Sequence, residues 1–142
     1  MIAIETDPRV QGAARCAFAL IEPAVLRPHE QVDERHLAEL ADEITRDGVL
    51  LRPVVVDRAS LVILDGHHRV LALARLGCRL IPAHLVDYSD PGITVWPRRR
   101  DVPVSKESIV ATGLSGRPYP PNTSRHEWSY PLDERPVPLS LL

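Results

Sequence analysis

Aromatic residues are scarce in this chain: 142 residues hold one phenylalanine, two tryptophans and three tyrosines, so any core must be built mainly from aliphatic side chains. The two cysteines, Cys16 and Cys78, form no C-x-x-C pair and at most one disulfide, which excludes a disulfide scaffold and points to a reducing compartment. Positive charge is not in excess. Seventeen Lys and Arg face nineteen Asp and Glu, a formal net charge of −2, so no global field is available to hold duplex DNA. The local run Arg98-Arg99-Arg100 reads as a solvated loop. No apolar stretch is long enough to cross a bilayer, and the start of the chain has no basic segment followed by an apolar one; a soluble cytoplasmic protein with no membrane partner is expected. Neither G-x-x-x-x-G-K-[ST] nor G-x-G-x-x-G occurs, which excludes nucleotide sites of those two kinds as far as a motif can. No internal repeat is visible.

What is present is an ordinary globular composition, 44% apolar and 25% charged, with 14 prolines that signal extended segments. A domain of this length removes about two-thirds of its unfolded surface from water, enough for a sizeable core. The pattern predicts a strand over 17–21 and then a proline-punctuated loop to Glu30. A helix follows, with Asp33 as N-cap, Leu37, Leu40, Ala41 and Ile44 on one stripe, and Gly48 at its end. "PVVVD" and "LVILD", apolar throughout, read as strands covered on both faces. "GHHRVLALARLG" reads as a second helix, and "RLIPAHLVDY" as a strand whose Pro82 implies an edge or a bulge. Beyond Tyr88 the pattern predicts a short strand around Trp96, a short helix capped by Ser105, an extended segment, and a loosely held tail whose apolar end packs on a neighbour.

The chemistry concentrates in "DGHHR", residues 65–69, between an apolar strand and an apolar-striped helix. A first helical turn carries unpaired N–H groups and the positive end of the dipole, a ready site for phosphate. Gly66, without a Cβ, lets backbone and ligand approach closely. Arg69 offers a planar fork matched to phosphate oxygens. Asp65 would repel a bare phosphate unless a cation stood between them, which suits Mg²⁺ held by a carboxylate and substrate phosphates. The competing reading makes Asp65 a helix cap, with His67, His68 and Arg69 facing solvent. A zinc set drawn from His67, His68, His84 and Cys78 is disfavoured, since adjacent helical histidines point about 100° apart and no pair has structural-zinc spacing. Cys16, in a featureless stretch, and Cys78, after a helix-ending glycine, read as small apolar fillers or exposed thiols.

"LRPHE" (26–30), the helix after it, "RPVVVD", "VILDGHHRVLALARLG", "IPAHLVDY" and "KESIVATGLSGRPYPPNTSRHEW" resemble, in this order, the free-serine kinases of the ParB/sulfiredoxin-like superfamily across residues 17–128. The resemblance implies an α/β fold, a small mixed sheet flanked by helices with an irregular proline-rich C-terminal part. It implies a single domain over 1–142: a core at 17–88, a substrate-side segment at 89–128 and a tail at 129–142. The activity implied is phosphoryl transfer from ATP or ADP, with Mg²⁺, to the hydroxyl of a free amino acid. L-Serine is the first acceptor, giving O-phospho-L-serine as a precursor of cysteine or a diaminopropionate-type building block. L-Threonine is the alternative, because one methyl changes pocket energetics by only about 1–3 kcal/mol.

On matching positions, Glu30 looks like the general base, and Asp65, Gly66, His67, His68 and Arg69 like the nucleotide-phosphate and Mg²⁺ site. Thr123, Ser124, Arg125 and His126 are similar to the segment that holds the amino acid, and Trp96 aligns with a tryptophan near that pocket. Read without the resemblance, Glu30 is a surface carboxylate, Trp96 a core or lid aromatic and 123–126 a solvated loop. Burial near Pro28 would raise the Glu30 pKa toward neutrality while a metal would lower it. His29 is then a hydrogen-bonding neighbour or an exposed side chain. One departure stands out: Asn122 occupies a position where the resemblance implies lysine, and Ser124 replaces a threonine. A monomer and a dimer are both compatible with the pattern. Two rivals share the superfamily: a ParB-like nucleotide-binding regulatory or DNA-partition module, which the acidic balance and the absence of a helix-turn-helix pattern disfavour, and a sulfiredoxin-like reductase, which would need cysteine where this chain has His67.

Overall fold

The computed structural model describes residues 2–6 and 16–142, so residues 1 and 7–15 of the expected 1–142 domain lie outside the described residues. The elements run β1 Ile2–Thr6, β2 Cys16–Ile21, α1 Glu34–Asp47, β3 Val49–Leu50, β4 Val54–Asp57, β5 Ile63–Asp65, α2 His67–Arg75, β6 Ile81–Val86, β7 Ile93–Pro97, α3 Lys106–Ser115, β8 Ser124–Trp128 and β9 Val137–Pro138. Their ends are set locally. Asp33 Oδ1 accepts the Arg35 and His36 N–H groups at 2.9 and 3.4 Å and starts α1, and Gly48, at φ 68°, donates to the Ile44 carbonyl and stops it. Ser105 and Ser108 form a reciprocal capping box at the start of α3.

Five strands form one mixed sheet in the order β1-β2-β6-β4-β5, in which β6 pairs antiparallel with β2 and parallel with β4. Every residue of β4 and β6 is buried, as strands covered on both faces require. On one face Leu37 and Ile44 of α1 and Val70, Ala72 and Leu73 of α2 pack against Ala19, Val54, Val56, Ile81 and Ala83. On the other, Val55, Leu64 and Val86 meet Ile93, Ile109 and Tyr130. No helix among the described residues is long and apolar enough to cross a membrane.

Three expectations need correction. Pro82 lies in the middle strand of the sheet and not at an edge: it faces Leu20, and the ladder to β4 begins only at the next residue, Ala83 opposite Val54. The proline-rich C-terminal part is irregular between its elements, and within it β7 and β8 pair antiparallel from Ile93↔Trp128 to Pro97↔Ser124. The tail is docked on its own chain: β9 pairs with β3, Leu139 and Leu142 pack on the α1/α2 side of the core, and the Leu142 carbonyl accepts the Arg79 N–H at 3.1 Å. Cys16, too, is no featureless position but the buried first residue of β2, its Sγ 3.6 Å from His84 Nδ1, and neither Cys16 nor Cys78 is in a disulfide.

Candidate active site

The strand-to-helix junction opens into a polar cavity of 290 Å³ bounded by Glu30, the 65–69 segment, Arg98, Asn122 and Ser124. β5 ends at Asp65, and Gly66, at φ 105°, turns the chain into α2. A Cβ at Gly66 would stand 2.6 Å from Val54 Cγ1 and 3.0 Å from Arg69 Nη2. The glycine is therefore demanded by its own backbone and by the packing of β4. Val70 N–H closes the first turn on the Gly66 carbonyl, so the amides ahead of it have no intrahelical acceptor and carry the positive end of the dipole.

Glu30 enters the cavity on a segment pinned at several points. Arg27 exchanges backbone bonds with Leu61 and Ile63, Tyr119 N–H donates to the His29 carbonyl, and Gln31 N–H donates to the Tyr119 carbonyl. Glu30 Oε1 then accepts the Ser124 N–H at 2.8 Å and the Ser124 hydroxyl at 2.7 Å. Burial alone would raise this carboxyl's pKa. The His29 ring, its Nε2 3.6 Å from Oε1, and hydrogen bonds from the Ser124 side chain and backbone outweigh it and hold the pKa at about 2. The expectation of a base raised toward neutrality is thus reversed: Glu30 is an ionised carboxylate, fixed in place by donors on one of its two oxygens.

The histidines of the junction serve the scaffold. His67 is buried, and its Nε2 accepts the backbone N–H groups of His29 and Glu30 at 3.1 and 3.3 Å, so it shapes the Glu30 segment. Burial pushes its pKa down to about 3, which keeps that nitrogen bare and accepting. His68 Nε2 accepts Asp33 N–H at 2.9 Å and its ring lies 4.3 Å from that of His36; burial lowers its pKa as well. Arg69 has already spent much of its fork: Nη1 donates to the Arg52 and Pro53 carbonyls and Nη2 to Asp65 at 3.2 Å. The side chain of Asp65 is 60% exposed, with Arg69 as its ion-pair partner.

The 123–126 segment divides by strand alternation. Ser124 alone of the four lines the cavity. Thr123 is fully buried with its hydroxyl on the Pro120 carbonyl, and His126 turns inward to the Tyr88 hydroxyl at 2.8 Å, its pKa lowered to about 3 by burial. Arg125 pairs with Glu127 on the outer face, and Trp96, opposite Arg125 in the β7–β8 ladder, is 49% exposed and borders neither this cavity nor its neighbour. Alternation thus carries Thr123 and Arg125 to the side of the strand away from Ser124, whereas His126 shares the Ser124 side, 6.1 Å from the His29 ring, and is turned to Tyr88 instead of into the cavity.

One residue gains a place that the residue pattern did not assign, and a second has an open choice decided. Arg98, read as part of a solvated run, lines the cavity because β7–β8 pairing carries its N–H to the Thr123 carbonyl at 2.8 Å. Its guanidinium has no ion pair or hydrogen-bond partner among the described residues, so it brings an uncommitted cation to a wall where Asn122 brings only an amide. Asn122 sits at φ 57°, a left-handed conformation that asparagine adopts at smaller cost than most residues. His29, the second, is the hydrogen-bonding neighbour and not the exposed side chain, fully buried between Ile63 and Ser124. Beside the polar cavity lies a second of 550 Å³, walled by Leu26, Pro28, Val70, Leu71 and Pro118 and sharing Glu30 and His67 with it.

No group of three His, Cys, Asp or Glu among the described residues is arranged to hold a metal ion by protein ligands alone. An exposed carboxylate beside an anion-favouring helix terminus does fit Mg²⁺ brought in with phosphates, and Asp65 is the residue that would hold it.

Residues 5–95 match the ParB N-terminal domain family. A ParB-like protein of Sulfolobus acidocaldarius is 40% identical over 80 residues, covering 55% of this chain and 40% of the relative. An ATP-dependent L-serine kinase of Staphylothermus marinus is 33% identical over 78 residues, covering 52% and 31%. The matches thus span less than half the length of these curated relatives. Among solved structures, a free serine kinase in complex with AMP superposes with a TM-score of 0.80 at 16% identity, covering 98% of this chain and 96% of the other, a likeness of fold. With most of its length matched by the family and its fold shared throughout, the chain belongs to the ParB N-terminal domain family.

Proposed function

We propose that this protein is a free L-serine kinase, a single domain that transfers a phosphoryl group from ATP or ADP to the serine hydroxyl and releases O-phospho-L-serine. The observation that carries the reading is Glu30: an ionised, donor-fixed carboxylate facing a helix N-terminus across a small polar cavity. The fold shared with a free serine kinase and the sequence match to an L-serine kinase support it.

Phosphoryl transfer asks a protein mainly to position its reactants and neutralise charge. The unpaired amides at the start of α2 and the open guanidinium of Arg98 are suited to the phosphates. Asp65 would hold Mg²⁺, which supplies neutralisation of the charge on the phosphates. Glu30 accepts the proton of the attacking hydroxyl, and the His67 imidazole, by holding the backbone on both sides of that residue's peptide, keeps the carboxylate in place. The low proton affinity of Glu30 is compatible with this role, because a loose transfer releases the hydroxyl proton late and asks more of the base's orientation than of its strength. A soluble cytoplasmic location and a free amino acid as partner belong to the same reading.

Phosphorus NMR of the purified protein with Mg²⁺, ATP or ADP, and a panel of hydroxyl amino acids tests it. A phosphomonoester signal that requires L-serine is the expected result; a signal with L-threonine in its place reassigns the acceptor. Nucleotide binding without any phosphomonoester favours the second reading, a ParB-like regulatory nucleotide-binding module, which the 40% identity to a ParB-like protein supports.

A further inference from the structure

His29 is the most completely enclosed titratable side chain at the junction, and the kinase reading gives it no task. Its Nδ1 stands 2.6 Å from the Ile63 carbonyl oxygen, an atom that only accepts, so Nδ1 carries a hydrogen. Its Nε2 stands 2.9 Å from Ser124 Oγ, and Oγ stands 2.7 Å from Glu30 Oε1. Each of these two contacts needs one hydrogen, and the Ser124 hydroxyl supplies only one. The other is carried either by His29 Nε2, with Glu30 a carboxylate, or by Glu30, with His29 neutral; without it, one contact would set two lone pairs against each other.

We propose that Glu30, Ser124 and His29 hold one proton in common, and that His29, as the cationic positioning residue, keeps Glu30 ionised and oriented through the Ser124 hydroxyl. The groups facing the His29 ring from other elements do not compete for that charge. The His67 ring of α2 lies 4.5 Å away and the His126 ring of β8 6.1 Å away, both with pKa values of about 3; His67 Nε2 takes backbone N–H groups and His126 Nε2 meets the Tyr88 hydroxyl. Glu30 Oε1, with the Ser124 N–H and hydroxyl on it and His29 Nε2 at 3.6 Å, is saturated. The acceptor hydroxyl is left to Oε2.

The step that follows is balanced within the site. The acceptor oxygen bonds to the terminal phosphorus, and the bridging P–O bond breaks with its electron pair leaving on the nucleotide. The hydroxyl proton passes to Glu30 Oε2. Because His29 keeps its own proton throughout, the newly protonated Glu30 faces a cation and sheds its proton to solvent as product leaves, which restores the resting state. Ser124 is thereby a tie between base and imidazolium, not a substrate ligand.

The catalytic consequence rests on the kinase reading, whereas the shared proton does not, so two readouts separate them. In the intact protein labelled with ¹⁵N-histidine, at pH 7, NMR is expected to show hydrogen on both ring nitrogens of His29; a bare Nε2 overturns the proposal whether or not the protein is active. Ser124→Ala is expected to lower kcat by about 10²-fold with the nucleotide KM held within about threefold, and to move the acid limb of kcat/KM upward in pH as Glu30 loses a donor. Ser124→Thr, which keeps a hydroxyl, is expected to restore both. An unmoved acid limb in Ser124→Ala, or no restoration by a folded Ser124→Thr, overturns it. Doubly protonated His29 in an inactive wild-type protein upholds the shared proton and overturns the kinase reading.

Discussion

Glu30 and Asp65 border one cavity, and their surroundings give them opposite duties. The Glu30 side chain is 10% exposed and held by Ser124 donors, which suits a group that must present one oxygen in one direction. The Asp65 side chain is 60% exposed with a single ion pair, which leaves an oxygen for a metal. Asp65→Asn is therefore expected to weaken Mg²⁺-dependent nucleotide binding by about tenfold or more while moving stability by less than about 1 kcal/mol, since an exposed ion pair contributes little. Calorimetric titration with and without Mg²⁺ checks this, and equal affinity would reduce Asp65 to a partner of Arg69. Arg98→Gln is expected to raise the nucleotide KM by about tenfold with little change in kcat, the mark of a residue that binds ground and transition states alike; an unchanged KM would return Arg98 to the solvated run. Of these residues, the sequence pattern brought out Asp65 through the DGHHR junction, while Glu30 needed the family resemblance. His29 was legible only as a hydrogen-bonding neighbour or an exposed side chain, and Arg98 was hidden, because their places depend on Ile63, Thr123 and Ser124 arriving from distant strands.

At the scale of elements, α1, α2 and α3 were legible because their ends are decided by neighbours in sequence: Asp33 and Gly48, Gly66, and Ser105 with Ser108. The β3–β9 pair was not, since strands of two residues exist only by long-range pairing and leave almost no periodicity. The fit of α3 against the sheet has the same origin. A Cβ on Gly113 would lie 2.6 Å from Val62 Cγ2, so the helix approaches Val62 at a distance only glycine permits. Gly113→Ala gains helix propensity worth about 1 kcal/mol but overpacks a buried contact, for a net loss of about 1–2 kcal/mol. Adding Val62→Ala is expected to interact favourably with it in a double-mutant cycle measured by denaturant unfolding. Strict additivity of the two changes would contradict the close approach.

Over the whole molecule, two buried imidazoles, those of His67 and His126, make acid the weak side of stability. His67 and His126 have pKa values of about 3 in the folded protein against 6.5 for the free side chain, so as pH falls below 6.5 the unfolded chain takes up protons that the native state refuses. Each contributes a loss of about 1.4 kcal/mol per pH unit until pH approaches 3. Glu30 acts in the same direction: held at about 2 against 4.5, it stabilises the fold above pH 4.5 and that stabilisation is lost as pH falls toward 2. Thermal unfolding followed from pH 7 to pH 4 is expected to show a steadily falling midpoint, and a flat profile would contradict the buried, neutral state of these rings. The same enclosure joins fold to function, because the strands and helices that bury His67 and His29 are those that set the Glu30 carboxylate against the start of α2. Comparing Glu30→Gln with wild type, by phosphoserine formation and nucleotide affinity on the same preparations, tests this account most directly. A loss of at least about 10²-fold in phosphoserine formation is expected, with nucleotide affinity held within about threefold; a Glu30→Gln protein that still phosphorylates serine at a rate near that of wild type would remove Glu30 as the base.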